Sequence, residues 1–598
     1  MQTEAQNGVG RHAGGSERLA RRNRPVGGHY KWVALTNTTL GVLMATIDSS
    51  IVLISLPVIF KGIHIDPLAS GETGYFLWML LGYMVVTATF LVTFGRISDM
   101  FGRVRFYNLG FLIFTIGSIL LWLTPGTGNV GALELILFRL VQGIGGGFLL
   151  SNSAAIITDA FPAHQRGFAL GINQIAAVLG SVIGLILGGI LSYFDWRLVF
   201  LVSVPVGIAG TIWAYTMLRE TVKARSHQKI DWLGNITFTA GATILLIGIT
   251  YGIEPYGGSS TGWGNPVVIG ALILGILLLA TFIWIELHVE DPMFRLELFK
   301  IRMFAAGNAS SFLASVARGG LQFMLVIWLQ GIWLPLHGYN YEVTPLWAGI
   351  YMIPLLVGFL LMGPLSGWLS DRFGARPFST LGLLLQALGF FLLTIIPLNF
   401  HYIWFALILF MVGIGQGMFS SPNTSSVMGS VPPEQRGVAS GMRSTFQNSG
   451  TIVSIGVFFS LITSGLAASL PTTLSSGLIN AGVPVNVAAK LAHLPPTSAL
   501  FAAFLGYNPM GTLLPLNVQQ ALPTAKRTVL LGHEFFPNLI SYPMSIGLHS
   551  VFYLSVVMCL VAALASLLRG KAQIVTRETQ SEPQDEARQH ASATVSNE

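Results

Sequence analysis

The sequence predicts an all-α polytopic membrane protein of fourteen spans, arranged as two parallel six-helix halves with two helices inserted between them. Three observations predict it: an apolar composition, a regular succession of apolar stretches, and an internal repeat. Of 598 residues, 52% are hydrophobic and 10% charged, with 32 basic and 25 acidic side chains, and the mean hydropathy is +0.67. Soluble chains carry about a quarter charged residues, so a soluble multidomain enzyme is excluded for want of a water-facing surface. This much apolar surface would also collapse, which excludes disorder outside the tails. One cysteine, Cys559, leaves no disulfide framework and no multi-cysteine metal site.

A hydrocarbon core of about 30 Å takes about 20 apolar residues in a helix. Split at Gly, Pro and Asn clusters, such stretches fall at 32–60, 75–94, 106–123, 132–158, 168–192, 198–218, 232–253, 266–286, 304–330, 346–369, 377–396, 402–430, 438–469 and 546–568. The domains follow: a tail at 1–31, a six-helix half at 32–219, an inserted pair at 231–287, a second half at 303–569, and a tail at 570–598. Both tails are polar and read as disordered, and residues 1–30 lack the apolar core of a signal peptide. The second half contains a long extracytoplasmic loop, 470–545, whose Pro, Leu and Ala content suggests a folded cap or helical hairpin at the membrane surface.

Orientation follows from the basic residues. The tails and the loops on their side hold 24 of the 32, the opposite side holds Lys61, Arg197, Lys490, Lys526 and Arg527, and Arg139, Arg318 and Arg443 lie inside spans. Positive residues stay inside, so both termini are expected in the cytoplasm of a multi-pass chain in the plasma or inner membrane. The net charge of +7 falls between apolar runs rather than on a basic helix, so nucleic acid is not an expected partner. The lipid bilayer is.

Gly95-Arg-Ile-Ser-Asp-Met-Phe-Gly102 returns 272 positions later as Gly367-Trp-Leu-Ser-Asp-Arg-Phe-Gly374, and Phe161-Pro-Ala-His-Gln-Arg-Gly167 returns after 270 as Val431-Pro-Pro-Glu-Gln-Arg-Gly437. Both members of each pair fall on the same side, so the halves are parallel. Such repeats suggest a transporter that rocks two halves about a midplane site.

With these motifs the chain resembles the major facilitator superfamily. Gly95-x-x-x-Asp99-x-x-Gly102-Arg103-x-Arg105 is similar to its signature between helices 2 and 3, and Arg139-x-x-Gln142-Gly143 to its helix 4 signature. Ile47-Asp48-x-Ser50-Ile-Val-x-x-x-Leu56-Pro57 resembles the helix 1 motif of the fourteen-helix drug:proton antiporter branch. The resemblance implies proton-coupled export of a hydrophobic or amphipathic small molecule by alternating access. It departs at helix 5, where Gly171, Gly180, Gly184, Gly188 and Gly189 match but Leu185 stands where the antiporter pattern has proline. Proline bends a helix, so its absence keeps uptake by a proton symporter open.

Asp48 is the one acid well inside a span. A charge there costs about 2.5–3.5 kcal/mol on insertion scales and marks a functional position by default. It is the expected proton-linked acid; the competing reading is a structural carboxylate tied to Ser49, Ser50 or a buried arginine. The resemblance implies that Arg139 modulates it; a fixed anchor to backbone carbonyls is the alternative. Gln142 shares either role and, with Arg318 and Gln322 on one face of helix 9, is a candidate for the substrate cavity. Arg443 is expected to snorkel to the interface. One buried acid against several buried arginines suggests a substrate that is neutral, anionic or at most singly cationic.

The resemblance makes Gly95, Asp99, Gly102, Arg103 and Arg105, and less so Asp371, a gate in which the arginines pair across the two halves; the alternative is a surface charge cluster on a tight turn. Gly143 with Gly147, and Gly180, Gly184, Gly188 and Gly189, put small residues on helix faces for close packing. No phosphate loop and no metal-ligand cluster occurs, so ATP is not the expected energy source; the resemblance implies the proton gradient in its place, with no cofactor and no metal expected. The expected partners are protons and a small-molecule substrate, and a monomer is compatible with this reading. Two further alternatives are a lipid-modifying enzyme using Glu534 with His493 and His533, and a non-transporting receptor.

Overall fold

The computed structural model describes residues 29–570 apart from 66–72, 163–164, 221–230, 253–255, 260, 290–291, 293, 342, 433–434, 493–495 and 506–507. The two tails expected to be disordered therefore lie outside the described residues, except at their inner edges. Fourteen helices are long and apolar enough to cross a membrane, as many as the apolar stretches predict. In chain order they are α1 Tyr30–Gly62, α2 Thr73–Phe101, α3 Arg103–Trp122, α4 Gly128–Ala160, α5 Arg166–Phe194, α6 Leu198–Met217, α7 Trp232–Tyr251 and α8 Pro266–Glu286. The second series is α9 Arg302–Leu336, α10 Thr344–Ser370, α11 Ala375–Ile395, α12 Tyr402–Gly429, α13 Arg436–Asn480 and α14 Phe535–Leu567. Helices dominate because a chain in lipid must satisfy its backbone polar groups within the segment.

The repeat seen in the sequence returns as repeated packing. In the first half α1 packs on α5, α3 on α4 and α6, and α2 on α4; in the second α9 packs on α13, α11 on α12 and α14, and α10 on α12. Gly145 approaches the Gly110 carbonyl, and Gly415, 270 positions on, approaches that of Gly382. A Cβ at Gly145 would stand 2.8 Å from that oxygen, and one at Gly415 2.6 Å, closer than real Cβ contacts, so both positions need glycine. Gly102 and Gly374 each connect two helices at positive φ, +115° and +83°, a backbone region that glycine enters without strain. The halves meet through α2 against α13 and α5 against α10, and the α7–α8 hairpin lies beside α2 and α13 at one of these seams.

Between α13 and α14 the chain differs from the loop expected over 470–545. α13 continues through Pro471 to Asn480, and α14 begins at Phe535 with Pro543 inside it. The two helices pack on each other, with Gly477 against Leu539, and this contact carries both past the expected bounds at 469 and 546, through Pro471 and Pro543. Short helices between them form a cap whose apolar residues (Leu500, Ala503, Met510, Leu530) join the core shared by α1, α9 and α14.

Candidate functional site

Asp48 is completely buried and Arg139 is 1% exposed. Arg139 Nη1 donates to Asp48 Oδ2 at 2.5 Å and to Gln142 Oε1 at 2.6 Å. Gln142 Nε2 donates in turn to Asp48 Oδ1 and to Ser118 Oγ, both at 2.8 Å, and Ser203 Oγ donates to Asp48 Oδ1 at 3.5 Å. The Arg139 guanidinium lies 4.7 Å from the centre of the Tyr83 ring, a cation–π contact. Four helices, α1, α3, α4 and α6, thus close around one ion pair, with α2 supplying Tyr83. Arg139 and Gln142 reach it together because residues three apart on a helix share a face. Arg139 Nε and the Tyr83 hydroxyl have no partner among the described residues.

The structure brings Asp48, Arg139 and Gln142 together and assigns Gln142 to the ion pair, not to a cavity wall. Tyr83, Ser118 and Ser203 belong to the same network, and nothing in the sequence singled them out. A serine in an apolar span is the only available signal for two of them.

A separate cavity of about 180 Å³ lies between the halves, toward the end of the bundle that carries Gly102. Its walls come from α1, α4 and α5 on one side and α12 and α13 on the other. The walls correspond through the repeat: Ala154 and Thr424, and Leu170 and Ser440, are each 270 positions apart and all four line it. It lies, therefore, on the axis relating the halves. Val42 and Thr46 of α1 face it, whereas Asp48 faces into the first half. Helix α1 thus stands between the ion pair and the cavity.

Arg318 and Gln322 do not line this cavity. Arg318 lies within electrostatic reach of the Cys559 thiol on α14, because the stretch at Arg318 turns into its own half toward α13 and α14. Arg443 does line the cavity and is 7% exposed, so it does not snorkel. Thr424 and Gln447 hold its guanidinium inside.

At the Gly102 turn, Arg103 Nε donates to Asp99 Oδ1 and its Nη1 to Asp159 Oδ2, both at 2.6 Å. These partners lie on α2 and α4, so Arg103 ties together helices of its own half instead of pairing across the interface. The Arg105 side chain is exposed, and its backbone N–H donates to Glu220 Oε1 at 3.0 Å. Glu220 sits at the N-terminus of α3, where unpaired N–H groups favour an anion. The residue is exposed as a whole, but partial desolvation where its carboxyl meets the helix end raises it above the ordinary range, against the lowering by those N–H groups. Asp159 and Glu220 were not legible as members of this cluster, since both lie far along the chain from it. Gly95 packs toward Ser151 of α4, and the Asp371 side chain lies outside the described residues.

The glycines of α5 face α1. A Cβ at Gly180 would lie 2.9 Å from the Leu43 carbonyl oxygen, one at Gly184 2.5 Å from that of Ile47, and one at Gly188 2.9 Å from that of Ile51. Gly143 and Gly147 face α2 at Tyr83 and Phe94, and Gly189 faces Leu346 of the second half. Among the described residues no group of three or more His, Cys, Asp or Glu is placed to hold a metal ion.

Residues 38–455 match the model of the Major Facilitator Superfamily. The chain belongs to that superfamily. It is 28% identical over 440 residues to the riboflavin transporter RibZ of Clostridioides difficile, covering 73% of this chain and 89% of that protein. It is 27% identical over 540 residues to multidrug resistance protein 3 of Bacillus subtilis, covering 90% of this chain and 94% of that one. Among solved structures, the proton:xylose symporter XylE superposes with a TM-score of 0.51 at 16% identity, covering 79% of this chain and 95% of that one; at that identity the likeness concerns the fold alone. The superfamily member is an integral multi-pass membrane transporter with multidrug-efflux relatives. It is not an enzyme, and the alternative of a lipid-modifying activity falls with that finding. His533 and Glu534 stand on open surface, 42% and 59% exposed.

Proposed function

We propose that this transporter exports a hydrophobic or amphipathic small molecule in exchange for protons, with Asp48 as the proton-linked acid and Arg139 as its modulator. The single observation that carries the reading is the enclosure of this ion pair inside one half, apart from the cavity between the halves. A buried carboxylate persists only with compensation, and here one guanidinium, one carboxamide and one hydroxyl supply it. Protonating Asp48 removes the charge that holds Arg139, so the helices around it must reset their hydrogen bonds. Helix α1 bears the acid on one face and the cavity wall on another, which gives proton and substrate a shared moving part. A ligand shifts such an equilibrium only through different affinity for its states, and α1 is where those differences meet. No cofactor enters, and the proton gradient supplies the energy.

The basic-residue distribution supports cytoplasmic termini in the plasma or inner membrane, so the cavity would open toward the cytoplasm. Asp99, Arg103, Asp159 and Glu220 would then brace α2, α3 and α4 within the first half at that end. A second reading, proton-coupled uptake, is favoured by Leu185, which is fully buried within an uninterrupted α5 where the antiporter pattern bends the helix. Energised inside-out vesicles decide between them. Export predicts that a panel of amphipathic compounds accumulates inside the vesicles when their lumen is acidified, and that Asp48→Asn abolishes accumulation while leaving downhill exchange. Accumulation that survives Asp48→Asn overturns the coupling role, and accumulation only in right-side-out vesicles establishes uptake.

A further inference from the structure

Arg443 stands in the cavity wall as a buried cation with no acid beside it. Its side chain is more than nine-tenths buried, and no described carboxylate lies within ion-pairing distance. Nη1 makes two long contacts, to Gln447 Oε1 at 3.2 Å and Thr424 Oγ1 at 3.4 Å. Nε is buried without a partner. The Nε–Nη2 edge of the guanidinium is therefore unused, and that edge is one of those that accept a carboxylate through two parallel hydrogen bonds. Burying such a group uncompensated is costly, so its retention in a cavity wall calls for a ligand.

The repeat sharpens this. Asn173, Gln174 and Ala177 on α5 are matched 270 positions later by Arg443, Ser444 and Gln447 on α13, and all six line the cavity. The two walls are related in backbone but not in chemistry. The first half offers two carboxamides, and the second offers the charge. A pseudo-symmetric chamber with its one fixed charge on one side orients an asymmetric ligand, anionic end toward α13.

Resting on the transport reading above, we propose that the cavity binds an amphipathic organic acid whose carboxylate is taken by Arg443, with Gln447 beside it. At about 180 Å³ the chamber is below the roughly 300–1,000 Å³ of pockets for drug-sized ligands. It accommodates the acid head, and the apolar tail requires the halves to part.

The test is equilibrium binding to the full-length purified chain in zwitterionic nanodiscs, without a proton gradient. Its probes are matched pairs of arenecarboxylates and their primary amides with tails from phenyl to naphthyl. Losing one partner of a buried charged pair typically weakens binding by roughly 30-fold or more, so at least one acid is expected to bind that much more tightly than its amide. Arg443→Gln should abolish the preference while leaving amide binding, and Arg443→Lys should fall between, since an ammonium lacks the planar fork. Equal binding of acid and amide by the wild type across the panel overturns the proposal, whether or not Arg443→Gln folds. So does a preference that persists in Arg443→Gln, one abolished by 150 mM chloride, or one lost when phosphatidylglycerol replaces the zwitterionic lipid; the last two would assign the site to an inorganic anion or a lipid headgroup. Because no gradient is applied, failure here leaves proton-driven transport of neutral compounds standing, and loss of coupling in Asp48→Asn leaves acid binding standing.

Discussion

The two halves share a backbone plan and differ in what they bury. In the first half the charges are satisfied internally: Asp48, Arg139 and Gln142 close on one another with Ser118 and Ser203. At the positions 270 residues later the second half carries Arg318, Leu409 and Val412, so no counterpart of the ion pair can form there. Among its buried cations, Arg443 faces the shared cavity instead. One half thus holds a self-contained charge pair, and the other presents a charge to the interface. Identical packing with different polar content teaches that helix positions follow from glycines and apolar faces, while the chemistry is an overlay on a few sites.

The largest effect expected from breaking this asymmetry is at Asp48. Asp48→Asn should eliminate gradient-driven accumulation. It should also destabilise the protein, since removing one partner of a buried pair costs about 3–5 kcal/mol. A second substitution, Arg139→Gln, should recover part of that stability without restoring coupling. Thermal unfolding of the single and double variants beside vesicle transport checks both statements, and additive destabilisation would show that the pair is not coupled.

Next come the repeat-related glycines. Gly180→Val on α5 and Gly450→Val on α13 should each destabilise by about 1–3 kcal/mol, the usual range for overpacking. Their Cβ atoms would lie 2.9 Å from the Leu43 carbonyl oxygen and 2.8 Å from that of Phe312. Only the first packs against α1, the helix that bears Asp48, so Gly180→Val should reduce coupled transport more than Gly450→Val at matched stability. Equal losses would remove the special role given to α1.

Smaller still is the Gly102 cluster. Arg103 is partly exposed, and such pairs are worth up to about 1 kcal/mol. Asp159→Asn should slow transport without abolishing it and shift the melting temperature by little, as measured in parallel by flux and unfolding assays. Glu220 gives the sign of a pH effect. Its folded carboxyl is raised by partial desolvation at the helix end, so the folded state holds this proton somewhat more tightly than the unfolded one. Its contribution to stability is present at low pH and is lost as pH rises through the folded value. Glu220→Gln should flatten that decline, which unfolding midpoints measured from acid to neutral pH would show.

Much of this was legible in the sequence because it rests on local arithmetic. An apolar stretch of about 20 residues with few charges has one stable form in lipid, so the number of spans followed from composition. The repeat followed from Gly95–Gly102 and Gly367–Gly374, where two turns require the same glycine. Asp48 and Arg139 were identifiable because an ionisable side chain in a span is costly enough to need a reason.

Which groups meet was a different matter. Gln142 could face a cavity or the ion pair, and only the crossing of α1, α3, α4 and α6 put it on Asp48. Arg103 had acids available on either side of the interface, and the fold gave it Asp159. The apolar stretch at 438–469 stops short of Pro471, and only the packing of α13 on α14 carries the helix through it. Arg443 lies close enough to a span end to snorkel, and Arg318 lies deep enough to line a cavity, yet the structure reverses their places. Span number, repeat and the cost of a buried charge are set by single segments and their solvent, so the sequence alone determined them. Partnership depends on the rotation and crossing of packed helices tens or hundreds of residues apart, which only the tertiary structure decided.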